Sequence, residues 1–360
     1  MRLALGYACP VPTNYQVDPR GVPLLVGSGP YYVQTADPGQ IVIERNRYYR
    51  GSRPHRLGRI LISIGGTIAS NISAVQQGQA DAFGGSLPFE YQESLARIYR
   101  VNRSQLFRFR GTVDYFLAMN TSRPIFKGNV ALRKAVNLAL DRTEIANVGS
   151  GFAHAQLTTG QIIPHWVPGW KNHRIYPLAG TNLKRARKLA DGNRRGGKVV
   201  LYALQVPFIR DQADLIANRL RQIGLDVTVI SISPQALAIK AGKPGEPYDM
   251  VLTRFFLNYP DPADVVIRLL SGENASRPAG NTNLAYFDSR KYNRLMAAAQ
   301  RLTGRARLRQ FSKLDASIMR NEAPWAPLYE GSHWLFVSKR FACLKAHPVF
   351  RFDLAAACVH

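Results

Sequence analysis

Apolar residues recur along this chain in short blocks, and their spacing predicts a mixture of strands and helices. GSGPYYV (27–33), QIVIERN (40–46) and RILISI (59–64) have the pattern of sheet strands joined by turns rich in Pro and Gly. IASNISAVQQG (68–78) predicts a helix that stops at Gly78, and ADAFGG (80–85) predicts a short strand entering a Gly-Gly bend. TVDYFLAMN (112–120) is an apolar strand that breaks at Asn120. The next block, NVALRKAVNLALDRTEIA, opens with Asn129 as a helix cap and sets Leu132, Val136, Ala139 and Leu140 on one core-facing stripe. TTGQIIPHWVPGW (158–170) holds too many Gly, Pro and aromatic residues for a regular element and is expected to be an ordered loop.

The clearest supersecondary pattern lies at 198–232. Strand KVVLYALQV leads to helix RDQADLIANRLRQIG, whose Ala213, Ile216, Leu220 and Ile223 share a face, and Gly224 ends the helix before strand LDVTVISIS. This is a βαβ unit. YDMVLTRFF (248–256) supplies another strand, and FFLNYPDPADVV (255–266) follows at its C-terminal end, the edge where open α/β sheets place ligand crevices. Helices are expected at about 289–302 and 305–321, before an aromatic-rich strand PWAPLYEGSHWLFV (324–337).

A chain of 360 residues exceeds what one core usually supports, so at least two domains are expected. Lys and Arg number 48 against 23 Asp and Glu, a net charge of +25 that fits acidic partners. The densest basic groups, RVNRSQLFRFR (100–110) and RLTGRARLRQ (301–310), interleave apolar residues at helix or strand spacing. No RNA-binding aromatic motif, zinc finger or basic zipper accompanies them. They are therefore read as solvated basic faces, with no nucleic-acid partner. No run of about 20 apolar residues is present to span a membrane. MRLALGYAC mimics a lipoprotein signal but is too short, and residues 1–20 are read as loop.

Candidate chemistry is sparse. GNRRGGKV (192–199) nearly matches a phosphate loop, yet Val199 stands where Ser or Thr must hold magnesium, and its glycines follow a helix and open a strand. GSGP (27–30) lacks the third Gly and the helix of a dinucleotide fingerprint. The seven His never fall at the spacing that sets two metal ligands on one helix face. No nucleophile elbow or Cys, His and Asn set appears, and Asp141, Asp261 and Asp264 are the nearest to paired carboxylates. No catalytic residue, metal site or cofactor is expected. Cys9, Cys343 and Cys358 fit no zinc or redox motif, and on spacing alone the last two are equally a disulfide or two buried thiols.

Five stretches, in this order, resemble the bacterial extracellular solute-binding protein family 5, the dipeptide, oligopeptide and nickel receptors of ABC importers. They are ACPVP with VGSGPYYV; PGQIVIERNRYYRGSRPHRLGRI; AVQQGQADAFGG; YFLAMNTSRPIFKGNVALRKAVNLALDRTEI; and YDMVLTRFFLNYPDPADVV. The resemblance implies a non-enzymatic α/β protein with a two-lobed periplasmic-binding-protein-like fold (type II, cluster C), its ligand enclosed between lobes that close about a hinge. The chain looks like the C-terminal part of a longer, N-terminally truncated member. It would comprise part of lobe I in 1–107, beginning with the end of a small inserted domain, then lobe II in 108–325, and a return to lobe I with a C-terminal tail in 326–360.

The resemblance also implies partners and site residues. A monomer would capture a peptide-like or other small polar solute outside the cytoplasm, in the periplasm or at the cell surface, and dock on an ABC permease; a signal peptide is absent from this sequence. Gly84 and Gly85 would leave room for ligand backbone, and Tyr115 and Asn120, at the crossing between lobes, would offer a hydroxyl and an amide. Phe255, Phe256, Asn258 and Tyr259 match the position where peptide-binding members place an aromatic and an acidic residue, the latter for the peptide ammonium. Asn258 is not acidic, and Asp261 or a residue of the absent N-terminal part is a candidate to compensate. For an extracytoplasmic protein the Cys343–Cys358 disulfide becomes the expected pairing. The alternatives are a truncated remnant without function and, on charge alone, a basic nucleic-acid-binding protein.

Overall fold

The structure, a computed structural model, describes residues 27–148, 157–275, 281–347 and 351–360. The loop expected at 1–20, and Cys9 with it, lies outside the described residues. In chain order the elements are β1 (Tyr31–Asp37), β2 (Gln40–Arg45), β3 (Arg59–Ser63), α1 (Ile68–Gln76), α2 (Phe89–Tyr99) and β4 (Leu106–Met119). Then come α3 (Val130–Ala139), α4 (Arg142–Asn147), β5 (Leu157–Thr158), α5 (Leu183–Ala190), β6 (Lys198–Leu204), α6 (Pro207–Arg221) and β7 (Asp226–Ile232). The remainder is α7 (Pro234–Lys240), β8 (Met250–Phe256), α8 (Pro262–Leu270), α9 (Gly272–Ala275), α10 (Arg290–Arg301), α11 (Gly304–Asn321) and β9 (Trp325–Phe336). The chain divides into two units, 1–109 with 333–360, and 110–332.

The first unit contains the antiparallel sheet β1-β2-β3, as its alternating residues predict. Thr67 caps α1 through a capping box with Ser70, and Ile72 and Val75 are that helix's buried residues. The segment 80–85 is not a full strand. It makes one bridge, Ala82 to Val337, with the Phe83 amide on the Phe336 carbonyl, before the glycines turn away. Helix α2 escapes the sequence pattern because it buries only Gln92, Leu95 and Ala96 and starts at Pro88 without a side-chain cap. A disulfide joins Cys343 and Cys358, whose Cα atoms are 5.4 Å apart.

The second unit is built on a sheet of order β5-β9-β4-β8-β6-β7. β6 runs parallel to β7 and β8, and β4 is antiparallel to β8. The βαβ unit is therefore present as β6-α6-β7. Both sheet faces are covered, as parallel strands require. Leu117 and Met119 of β4 join the core that includes Leu201, Ile216, Leu220 and Val227, while Phe116 and Ala118 join Val265, Leu269, Phe311 and Trp325 on the other face.

The single helix expected from 129 to 146 is two helices. Asn129 caps α3, but Leu140 is extended and the Asp141 carboxylate accepts from the Glu144 amide, which starts α4 in a new direction. Arg142 then enters the core with no exposed surface and donates to four backbone carbonyls and the Asn137 side chain.

Candidate ligand-binding end of the second unit

The C-terminal ends of β6 and β8, the first residues of β4 inside this unit and the last residues of β9 before it leaves the unit gather at one end of the sheet. Tyr115 and Tyr329 stack there with centroids 4.5 Å apart, and Phe208, from the start of α6, packs edge-on to Tyr115 at 6.1 Å. Gly331 makes this stack possible: a Cβ at that position would lie 3.2 Å from a Tyr115 ring carbon. Arg254, opposite Tyr115 in the β4–β8 ladder, reaches the Tyr115 hydroxyl at 3.5 Å and lies over the exposed Phe256 ring at 5.3 Å. Burial pushes the Tyr329 hydroxyl well above its ordinary pKa, and it donates to Gln212 Oε1 at 2.9 Å.

The other face of the same strands is acidic. Asp114 pairs in register with Phe255, so both project to one side. Glu330 occupies the same side of neighbouring β9, and its Oε1 accepts from the His165 backbone amide at 2.7 Å and contacts His165 Nδ1 at 2.5 Å. Both Asp114 oxygens and Glu330 Oε2 are buried without a hydrogen-bond partner. Desolvation, then the nearby Glu330 charge, raises the Asp114 pKa well above the usual carboxylate range. His165 packs on Trp170 at 4.3 Å, and both line a cavity of about 240 Å³ with Thr159, Gln161, Asn172, Arg174 and Tyr176.

The expected loop at 158–170 forms part of this cavity, and one carboxylate orders it. Asp315 of α11 accepts from the Ile162 and Ile163 amides and from Gln161 Nε2, at 3.0, 3.2 and 3.2 Å. Burial nevertheless raises its pKa to about 6.

Of the expected ligand contacts, Tyr115, Phe255, Phe256, Asn258 and Tyr259 come together at this end of the sheet, whereas Gly84 and Gly85 belong to the first unit, where both are exposed. Asn120 does not belong with them. It ends β4 beside the start of β8, five residues or about 16 Å of strand from Tyr115. Its buried amide is engaged with the Tyr248 carbonyl and with Ser122, so it closes the strand end. Asn258 turns inward as well: its backbone and side-chain N–H groups donate to Asp264 at 2.6 and 3.2 Å. Asp261 cannot stand in for a missing acid, because it caps α8 and holds Arg307 through both oxygens at 2.6 and 2.9 Å.

Sequence reading missed Asp114, Glu330, His165, Phe208 and Tyr329. A signal for two of them was available. Asp114 and Glu330 are the lone acids of the strands TVDYFLAMN and PWAPLYEGSHWLFV, which are rich in aliphatic and aromatic residues. Among the described residues, no group of three or more His, Cys, Asp or Glu is arranged to hold a metal ion, and no helix is long and apolar enough to cross a membrane.

The sequence matches the model of bacterial extracellular solute-binding proteins, family 5 Middle, over residues 11–277. The chain belongs to that family. Heme-binding protein A of Haemophilus influenzae is 25% identical over 317 residues, covering 84% of this chain and 54% of that protein. Solved family-like folds include Clavulanic acid biosynthesis oligopeptide binding protein 2, with TM-score 0.84, 23% identity, and coverage of 92% of this chain and 63% of that one. A dipeptide binding protein from Pseudoalteromonas sp. SM9913, in complex with Met-Leu, has TM-score 0.69, 21% identity, and coverage of 93% and 64%. The fold is thus the two-lobed α/β fold of periplasmic peptide-binding proteins. The chain spans about half the length of the curated relative and just under two thirds of these solved chains. As a family 5 solute-binding chain, it is read for binding and not for catalysis.

Proposed function

We propose that this chain is the substrate-binding component of an ABC importer, acting outside the cytoplasm on peptide-like or similarly sized polar solutes and passing them to a membrane permease. In this reading the unit 110–332 is lobe II and the unit 1–109 with 333–360 is lobe I. The observation that carries it is the cluster at the C-terminal sheet end of a family 5 chain, where Tyr115, Tyr329, Phe208 and Phe256 border the guanidinium of Arg254. Aromatic walls with a few fixed polar groups suit a solute with mixed apolar and polar surface. Tyr115, Phe255, Phe256 and Tyr259 are its contacts in lobe II, with Gly84 and Gly85 in lobe I. Asn120 and Asn258 serve local structure.

The test is native mass spectrometry of the purified protein for a co-purified solute, followed by calorimetry with peptides of two to five residues and with hemin. Saturable peptide binding, weakened by Tyr115→Ala, is the expected result. Binding of hemin without peptides, or DNA retention that falls steeply with salt and no solute binding, overturns the reading.

A further inference from the structure

Three buried acceptor atoms converge on the acidic face of the same sheet end. Gly331 has its Cβ direction toward Val113 and Tyr115, so its chain neighbour Glu330 and their neighbour Asp114 project together to the opposite face. Asp114 is 6% exposed and Glu330 3% exposed. The groups around them leave three oxygens unused. His165 engages only Glu330 Oε1, Arg268 lies over Phe255 but is aligned with Asp264 at 3.9 Å, and Arg254 is on the far face with Tyr115. Both Asp114 oxygens and Glu330 Oε2 therefore stay unpaired inside the protein.

Proteins neutralise or pair a carboxylate that leaves water, because an unpaired one is strongly unfavourable. Nothing about strand formation calls for two acids here: Val, Thr or Phe would fit the pattern of both strands better. The arrangement makes sense if a donor arrives from outside. A primary ammonium has three N–H donors and a guanidinium five, in both cases enough for three oxygens without displacing any existing bond.

We infer that Asp114 and Glu330 form a subsite for a primary ammonium or guanidinium group carried by the solute. The inference rests on reading the second unit as a solute-binding lobe, and it places the recognition of positive charge on β4 and β9, since Asn258 and Asp261 are already engaged.

The test uses n-butylammonium and n-butylguanidinium as probes, with n-butanol as the neutral control, in calorimetric titrations of the wild type, Asp114→Asn, and Asp114→Asn with Glu330→Gln. Melting temperatures are measured without probe. Wild type should bind at least one cation and not butanol, and both variants should bind about tenfold more weakly or worse, the order of a lost charge-assisted contact. Asp114→Asn should also melt higher than the wild type, because Asn avoids the desolvation that burial imposes on the Asp114 carboxylate. Asp114→Asn leaves every Glu330 bond in place, so it reports on the subsite even if the double variant does not fold. Equal binding of butanol, no binding of either cation by the wild type, or variants that melt lower with unchanged cation affinity overturns the inference. Peptide titrations separate the two readings: peptides that bind wild type and both variants alike sink the subsite and leave the proposed function, whereas cation probes that bind while peptides do not sink the peptide reading alone.

Discussion

Replacing Arg142 tests whether one buried cation organises the second unit. Its guanidinium makes five contacts: to the carbonyls of Thr159, Pro327, Asn137 and Pro177 at 3.1, 2.7, 3.1 and 3.0 Å, and to Asn137 Oδ1 at 2.8 Å. These acceptors come from α3, the loop after β5, the loop before α5 and β9, so one side chain ties four segments. In Arg142→Met all five acceptors lose their donor. At about 1–1.5 kcal/mol each, the lower part of the range for orphaned buried groups, the loss is roughly 5–7 kcal/mol. Against this, burial has lowered the Arg142 pKa from 12.5 to about 10, which corresponds to about 3 kcal/mol of unfavourable charge burial that the variant recovers. The net destabilisation is about 2–4 kcal/mol. Arg142→Lys should be no better, since it keeps the buried charge but can satisfy at most three of the five acceptors. Urea unfolding followed by far-ultraviolet circular dichroism gives both values. A Lys variant within about 1 kcal/mol of wild type would refute the reasoning, because it would show that charge and not fork geometry holds the four segments.

Asp315 has its pKa raised to about 6, so its protonated form is favoured by folding and its contribution to stability falls as pH rises from about 4 through 6. Relative to Asp315→Asn, the wild type should lose about 2.4 kcal/mol of unfolding free energy between pH 4 and pH 7, and a difference flat with pH would contradict this assignment. Asn258→Asp places a second carboxylate against Asp264, whose pKa burial already raises. It should cost about 1–3 kcal/mol at pH 7, shrinking as the pH falls and one acid takes up a proton; unchanged stability would show that the Asn258–Asp264 contact is not formed. Replacing Cys343 and Cys358 with Ser opens a disulfide with a sequence separation of 15, at a cost of about 3 kcal/mol in the loop-entropy model. Thiol titration of the denatured, unreduced protein checks the bond directly, with three reactive thiols expected only if it is missing.

Much of the fold was legible along the chain because period and cap coincide there. The 198–232 unit shows it: Ile216 and Leu220 recur at helical spacing, Val227 and Val229 alternate, and Gly224 separates the patterns. Elements with few buried positions, or whose ends are set by distant partners, were not legible. α2 has no polar cap and only three buried positions, and the break between α3 and α4 depends on Asp141, which also accepts from the Gly180 amide, 39 residues away. Only some aromatics of the candidate site were picked out along the chain, and Phe208 and Tyr329 were not. Tyr115, Phe255 and Phe256 stand out against a turn at the end of an apolar strand, but whether a polar neighbour is free or engaged is not a local property. Asn258 and Asp261 look alike in the motif NYPD, and both prove to be engaged, one by an acid six residues on and the other by an arginine on α11.

The sequence alone determined an α/β chain of more than one unit and the family it resembles, since periodicity, caps and ordered motifs are properties of neighbours along the chain. Tertiary structure decided which side chains remain available. Asp114 and Glu330 lie more than 200 residues apart and meet only because β4 and β9 are adjacent in the sheet. Their unpaired oxygens are a consequence of packing from several elements at once, which no single stretch of sequence encodes.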